Sequence, residues 1–470
     1  MTIASFLVFL GLFLLIGLAS AFSARKTRDD YYLASKSISP ALAGLSAVAT
    51  NNSGYMFIGV IGYTYAVGLA AIWLMVGWIV GDFIASLLVH RRLRQATERT
   101  GEASFGAVIA RWSGFDMPVW RRIAAIITVV FLGSYAAAQI AAGGKALEGV
   151  LGWNRSTGAW IVAAMVLSYS IAGGIRASIW TDAAQSIVML FAMLVLVTAG
   201  VVALGGPDAT IHAWQAIPGF FDLTPPDMAL PGIAGLVLFI IGWLFAGLSV
   251  IGQPHIMVRF MALDSPRSMA TARLYYYSFF TIFYALATLA GMLARLHLPH
   301  LAGLDPELAL PTMAVELLPP VLVGVILAGI FAATMSTADS LVLSCSAAIT
   351  HDLLPGRTEH PFILKSATAA VTAFALAIAL GGSGSVFDLV ILSWSTLAVA
   401  FGPLLLLLAF NRPVSEARAI MMMATGIAVA LFWRWQGWHS MIYEGLPGMM
   451  AGLAVGLTFP KRMRVLAVTN

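Results

Sequence analysis

Thirteen stretches of this chain are apolar for long enough to cross about 30 Å of hydrocarbon, which takes roughly 20 residues of helix. They lie near 3–22, 40–68, 71–90, 122–143, 157–173, 178–204, 231–251, 274–296, 318–346, 362–381, 386–409, 418–434 and 444–460. Backbone polar groups immersed in lipid must be satisfied within their own segment, so each stretch predicts a helix and the chain predicts an all-α membrane protein. Composition agrees: 60% of the 470 residues are hydrophobic and 10% charged, with a mean hydropathy of +0.91. A soluble domain carries about 25% charged residues. The longest polar segments, 91–121 and 205–230, are loop-sized with room for short helices, so residues 1–470 read as one transmembrane domain.

An odd number of crossings puts the termini on opposite sides, and Lys and Arg mark the cytoplasmic one. With the N-terminus outside, the inward segments hold Arg25, Lys26, Arg28, Lys36, Arg91, Arg92, Arg94, Arg99, Arg111, Arg121 and Arg122. Later inward segments add Arg176, Arg259, Arg267, Arg273, Arg357, Lys365, Arg412, Arg418, Lys461, Arg462 and Arg464. Lys145, Arg155, Arg295 and Arg434 fall outside. The pattern predicts a multi-pass protein of the cell inner membrane with its C-terminus cytoplasmic, and the net charge of +5 reads as topology, not as a nucleic-acid surface. No basic residue precedes the first apolar run, so Ile3 to Phe22 reads as a helix and not as a secretory signal. The single cysteine, Cys345, excludes an internal disulfide and reads as a small packed side chain.

Two of the spans are interrupted at matching places. Asn51-Asn52-Ser53-Gly54 breaks the second, Gly247, Ser249, Gly252 and Pro254 loosen the seventh, and five spans separate their starts. Interrupted helices in corresponding positions of two halves point to an inverted repeat around a midplane binding site. The halves are 40–204 and 231–409, with an extra helix and cytoplasmic loop at 1–39 and two further helices at 418–460. In the ninth span Ala333, Ser336, Thr337, Asp339, Ser340 and Ser344 recur at three- and four-residue steps, with Asp339 flanking the face the others share. Hydroxyls and a carboxylate at membrane depth need water, another helix or an ion, so this seam is a candidate functional site.

Six motifs in order extend that reading. Tyr31-Tyr32-Leu33-Ala34-Ser35-Lys36-Ser37 precedes the broken helix, Ala49 to Gly54 lies within it, and Gly173-Gly174 is followed by Trp180-Thr181-Asp182. Gly252-Gln253-Pro254-His255 with Arg259-Phe260-Met261, Met335-Ser336-Thr337-Ala338-Asp339-Ser340 and Phe401-Gly402-Pro403 complete the set. The set resembles the sodium:solute symporter family, and within it the bacterial sodium/proline symporter branch, which also has thirteen helices. The resemblance covers nearly the whole chain. It implies a LeuT-like 5+5 inverted repeat with two broken helices. It also implies a secondary active symporter that imports a small organic solute, such as proline or a related amino acid, with sodium as coupling ion and no cofactor.

The resemblance also implies site residues. A sodium ion would be held by the carbonyls of Ala49, Asn52 and Ala333 and the hydroxyls of Ser336 and Thr337; a hard cation prefers such oxygen ligands. Asp182, Ser336, Asp339 and Ser340 would form a further cation site or a proton-sensitive latch. Asn51, Ser53, Gly54, Phe57, Trp243, Ala246, Val250, Gln253, Pro254, Trp394 and Ser395 are candidates for the solute site. Some relatives carry an acid where this chain has Asn51, and the proline carriers place Trp and Tyr at positions that align with Ala246 and Val250, so the pocket is shaped differently here. Bland readings stand beside these: Asp182 as a helix-end cap, Asp339 as a water-exposed acid, and His255 and His351 at cytoplasmic helix ends in a capping or solvent-exposed role. Arg259 reads as a lipid contact or part of an inner gate. Rivals to the symporter are a proton-coupled carrier using Asp182 and Asp339, a transporter-like sensor, and a membrane enzyme, for which no convergent nucleophile and base are found.

Overall fold

The computed structural model describes residues 1–20, 22, 27–226, 228–299, 305–354, 360–382 and 386–458. Of the topology-marking residues, Arg25, Lys26, Arg357, Lys461, Arg462 and Arg464 lie outside the described residues, as do Ala21 and the last two positions of the span at 444–460. Helices α1 (Thr2–Ser20) and α2 (Arg28–Leu33) lead to α3 (Pro40–Asn51), which Ser39 caps by accepting from the Leu42 amide, with Pro40 at the first position. At Asn52 the backbone leaves helical geometry (φ −80°, ψ 63°), and the chain resumes as a π turn, Tyr55–Val60, and α4 (Ile61–Val67). Next come α5 (Ile72–Ala85), a π turn at Ser86–His90, α6 (Arg91–Thr100), α7 (Phe105–Arg111) and α8 (Pro118–Leu151).

The helix α9 (Arg155–Ala203) has 49 residues, on the order of 70 Å at 1.5 Å per residue. It is divided at Gly174 (φ 56°, ψ −141°), where a Cβ would sit 2.5 Å from the Tyr31 carbonyl oxygen, so both the backbone conformation and the space demand glycine. Then follow α10 (Pro207–Gln215) and α11 (Gly232–Leu248), and the second break at Gln253 (φ −101°, ψ 96°) opens α12 (Pro254–Met261). The rest of the bundle is α13 (Met269–His297), α14 (Ala309–Leu317), α15 (Pro320–Ala347), α16 (Pro361–Gly381), α17 (Val386–Ala409), α18 (Glu416–Trp435) and α19 (Gly445–Leu457).

Ten helices among the described residues are apolar and long enough to cross a membrane, against the thirteen spans expected. The runs Tyr55–Thr100 and Arg155–Ala203 are each divided by a positive-φ glycine, Gly68 and Gly174, and α19, with 13 residues, falls short of a span. Burial sorts the bundle. The most apolar windows of α15 and α17 are 89% and 83% buried, whereas that of α1 is 22% buried and its Leu7, Val8 and Leu15 face outward. In a membrane such exposed apolar side chains meet lipid, so the polar seam of α15 lies at the centre of the bundle and away from the acyl chains.

The two broken helices are tied together at the ends away from their breaks. The Ile38 amide donates to the Ala262 carbonyl (3.2 Å) and the Asp264 amide donates to Ile38 (2.9 Å), joining the strap before α3 to the residues after α12. Arg94 of α6 reinforces this junction by donating to the Leu263 carbonyl at 2.6 Å.

Candidate ion and solute site

The end of α3 exposes carbonyls that an intact helix would use internally, and the α15 seam meets them. Ser336 Oγ lies 3.1 Å from both the Ala49 and the Ala333 carbonyl oxygens. Thr337 Oγ1 lies 2.8 Å from the Thr50 oxygen and 3.2 Å from that of Ala333. Four of the expected ion ligands, Ala49, Ala333, Ser336 and Thr337, therefore converge across 287 residues of sequence. Asn52 donates its amide to Val48, and its side-chain amide is buried without a hydrogen-bond partner among the described residues. The Thr50 carbonyl, absent from the expected set, is the one that meets Thr337; its position one residue after Ala49 was the available signal. Each hydroxyl donates to a carbonyl here, and rotating its hydrogen away turns a lone pair to the same point. The resulting shell of neutral oxygens suits a hard monovalent cation.

One turn further along α15 the chemistry changes. Asp182 Oδ2 accepts from Ser46 (2.6 Å), Thr50 (3.4 Å) and Ser178 (3.5 Å), and Arg259 Nη2 lies 3.3 Å away. Asp339 Oδ1 accepts from Ser340 at 2.9 Å. Arg259 also donates to Ser178 (2.6 Å), to the His255 carbonyl (2.5 Å) and, in a short contact, to Ser340. The oxygens considered for a further cation thus surround a fixed guanidinium. Two bland readings fail here: Asp339 is fully buried, not water-exposed, and Asp182 sits two turns beyond the Gly174 break, too deep to cap a helix end. Arg259, also fully buried, faces neither lipid nor water.

The second break is packed against a cluster of aromatic side chains. Trp394 donates its indole N–H to the Ala246 carbonyl (2.8 Å), and Gln253 donates to the Trp394 carbonyl (2.9 Å). Trp78 lies 5.3 Å from Trp394 and 5.8 Å from Tyr55 between ring centroids, and His255 lies 5.5 Å from Tyr135. Tyr135 donates to Ser53 (3.3 Å), and Gln139 accepts from the Gly54 amide (2.8 Å), which links the cluster to the first break. Indoles from α5 and α17 thus supply aromatic bulk beside Ala246, while Val250 is buried in the turn Ser249–Gly252. Several polar atoms of this cluster are buried without a partner among the described residues: Tyr55 Oη, Trp78 Nε1, Gln139 Nε2, Gln253 Oε1 and both His255 nitrogens.

Not every candidate joins that set. Phe57 packs on Phe283 (5.1 Å) and against Gly329, Trp243 stacks on Trp78 and Tyr443 nearer the surface, and Ser395 donates to Glu444. Asn51 turns to Asp82, while Ser53, Gly54 and Pro254 border the breaks. Tyr135, Gln139, Trp78 and Tyr55 were missed because they sit within strongly apolar spans; a polar or amphipathic side chain inside such a span was the available signal. Both histidines are buried, which corrects the expectation of solvent-accessible ends. His351 pairs with Glu102 at 2.6 Å, and Asp352 beside it accepts from Ser104 at 2.9 Å. Glu102 also holds Arg111, whose hydrogen bond to Asp116 raises its guanidinium above the ordinary value. At the opposite end Lys145 bridges Asp305 (3.0 Å) and Glu307 beside a recess of about 430 Å³ lined by Tyr63 and Phe387.

Two discontinuous helices facing each other across a fully buried core, with an oxygen cluster at one break and a cluster of polar and aromatic side chains at the other, define an ion-coupled carrier. The model of the "Sodium:solute symporter family" matches residues 31–426. The chain belongs to the sodium:solute symporter family. It is 30% identical over 443 residues to the high-affinity proline transporter PutP of Bacillus subtilis (strain 168), covering 92% of each chain. It is 29% identical over 465 residues to the sodium/proline symporter of Escherichia coli (strain K12), covering 96% of this chain and 91% of that one. A Na+-coupled sialic acid symporter in a substrate-bound outward-open state superposes with a TM-score of 0.83 over 97% of this chain and 96% of its own, at 20% identity. A nucleobase-cation-symport-1 family transporter gives a TM-score of 0.57 at 15% identity, over 91% and 92%. The fold is therefore the LeuT-like one expected, and the protein is a sodium-coupled symporter of a small solute in the cell membrane, a transporter and not an enzyme.

Proposed function

We propose that this carrier imports a small amino acid of the proline type, with one sodium ion bound between the α3 break and α15. The ligands are the Ala49, Asn52 and Ala333 carbonyls and the Ser336 and Thr337 hydroxyls, with the Thr50 carbonyl beside them. The single observation that carries the ion site is the convergence of Ser336 and Thr337 on unwound α3 carbonyls at 3.1 and 2.8 Å. The solute binds among the neighbouring aromatic side chains of the second break. Its carboxylate and amine satisfy the partnerless Trp78, Gln139, Gln253 and His255 atoms, and its apolar ring or chain lies on Trp78 and Trp394. Relatives that transport proline at about 30% identity support the solute class.

The two halves are 40–204 and 231–409, with the N-terminus outside, the C-terminus cytoplasmic and the segments 1–39 and 418–460 as additions. Sodium enters from outside, orders the broken helix and raises solute affinity, and inward opening releases both; such coupling is a linkage between sites. Each sodium also draws on the membrane potential, about 2.3 kcal/mol per charge per 100 mV. The test is uptake of labelled proline and a panel of amino acids into proteoliposomes under an inward sodium gradient, with choline as control. Sodium-dependent uptake that survives Ser336→Ala combined with Thr337→Ala removes the ion site; a panel in which no amino acid is taken up removes the solute class.

A further inference from the structure

Asp82 sits in the middle of an otherwise apolar helix, fully buried, and no salt bridge reaches it among the described residues. Its carboxylate is held by three neutral donors. Tyr277 donates to Oδ1 at 2.7 Å, while Tyr276 (2.8 Å) and the Asn51 side-chain amide (3.2 Å) donate to Oδ2. Asn51 is the last residue of α3 and also reaches Tyr276 at 2.5 Å, so the acid is tied directly to the point where α3 unwinds.

The ionisable neighbours are few. From α13, Tyr276, Tyr277 and Tyr284 face Asp82, and Arg273 spends its guanidinium on the Ser86 carbonyl (2.8 Å). Tyr55 lies beside Trp78 one turn away, and His90 follows two turns along the same run. The elements α11, Ser249–Gly252 and Gly68–Ala71, which also pack on α5, carry no ionisable side chain. Gly247 brings α11 so close that a Cβ would stand 2.7 Å from the Asp82 amide nitrogen, leaving no room for a bulkier partner there.

A lone carboxylate without a cation is unfavourable at this depth, and the two ways to neutralise it are a metal ion and a proton. Two phenols and an amide are hydrogen-bond partners more than metal ligands. A protonated Asp82 gains one O–H donor while its other oxygen still accepts, so a proton on Oδ2 displaces the Asn51 and Tyr276 donors there, and a proton on Oδ1 weakens Oδ2 as their acceptor; either way the hold on Asn51 changes. We propose that Asp82 is a proton-binding site linked through Asn51 to the sodium site at the α3 break, so that sodium and the proton oppose each other's binding. The sign follows from charge: the anion beside the break favours sodium, and reciprocity makes sodium expel the proton. This linkage rests on the ion-site reading above; the proton site does not.

The test uses the purified full-length protein in lipid nanodiscs. Infrared difference spectra on adding sodium at mildly acidic pH show loss of a protonated-carboxyl C=O band in the wild type and lack that component in Asp82→Asn. Tryptophan fluorescence titrations show sodium affinity falling on the order of tenfold as pH is lowered, with the dependence abolished in Asp82→Asn. If Asp82→Asn does not fold, Tyr276→Phe combined with Tyr277→Phe removes two donors to the anion and moves the midpoint of that pH dependence upward. A band unchanged in Asp82→Asn, an unaltered pH slope, or an unmoved midpoint in the tyrosine variant each overturns the proposal. Loss of sodium binding in Ser336→Ala while a pH-difference spectrum taken without sodium still shows the Asp82 carboxyl band bears on the ion site alone, which keeps the two readings separable.

Discussion

Arg259 and Asp182 form an ion pair, Nη2 to Oδ2 at 3.3 Å, in which neither side chain has any exposure. The same guanidinium also reaches Ser46 on α3 and Ser340 on α15, so one cation joins both broken helices to the two long helices behind them. Removing one partner of a buried pair strands the other charge at a cost of about 3–5 kcal/mol. Arg259→Gln alone should therefore lower thermal stability strongly, as should Asp182→Asn. The double variant should lose less than the two singles added together. Thermal unfolding in detergent measures this cycle, and strict additivity would show that the pair contributes no coupling.

At the proposed ion site each hydroxyl is expected to contribute separately. A hydrogen-bonding partner of a charged group is worth about 1.5–3 kcal/mol, roughly 10- to 100-fold in affinity. Ser336→Ala and Thr337→Ala should each raise the sodium concentration for half-maximal uptake by about that factor. Thr337→Ser, which keeps the oxygen, should stay within a few-fold. Sodium titrations of uptake decide between these outcomes, and equal effects of Thr337→Ala and Thr337→Ser would point to packing and not to the hydroxyl.

The Gly174 break positions Asp182, and its geometry admits one residue type. A Cβ there meets the Tyr31 carbonyl at 2.5 Å in addition to a left-handed φ of 56°. Strain of this kind costs about 1–3 kcal/mol before the clash is counted. Gly174→Ala should lower the melting temperature, while Gly173→Ala, whose glycine has no positive φ, should be milder. Comparable losses in both would remove the backbone explanation.

Burial pushes the Tyr32 hydroxyl up to about 12, against the lowering influence of its hydrogen bonds to Ser346 (3.1 Å) and Thr350 (2.8 Å) and of Arg28. An unfolded tyrosine ionises near 10. The folded state therefore keeps a proton that the unfolded chain gives up, so this contribution is complete below about pH 10 and is lost as pH rises through about 12. Wild-type melting temperatures should fall more steeply across that window than those of Tyr32→Phe. A parallel fall in both proteins would assign the alkaline loss to other groups.

Much of this site was legible in the sequence because its signals are local. Asn51-Asn52-Ser53-Gly54 cannot sit comfortably in a continuous helix, and the Ser336, Thr337 and Ser340 spacing puts hydroxyls on one turn. What stayed hidden is pairing across the fold. Asp82 lies in a span whose hydropathy swamps one acid, and its tyrosine partners are 194 and 195 residues away. Arg259 was readable as a charge near a helix end, but its burial among Ser46, Ser178 and Ser340 depends on three other helices. Trp78 and Trp394 look like ordinary membrane aromatics until both stand beside the second break.

Orientation can be tested with the chain's own cysteine as a silent background. Cys345 is buried, with Sγ 3.7 Å from the Thr128 carbonyl, so a membrane-impermeant maleimide should leave the wild type unlabelled in intact cells. Gln95 on α6 and Asp208 on α10 are both exposed, and the proposed orientation, argued from the excess of Lys and Arg near Gln95, has Gln95 on the cytoplasmic side and Asp208 outside. Asp208→Cys should therefore label in intact cells and Gln95→Cys only after permeabilisation. The reverse pattern would invert the carrier. It would put the Lys145–Glu307 recess on the inside, and the sodium gradient would then meet the ion site from the Glu102–His351 end.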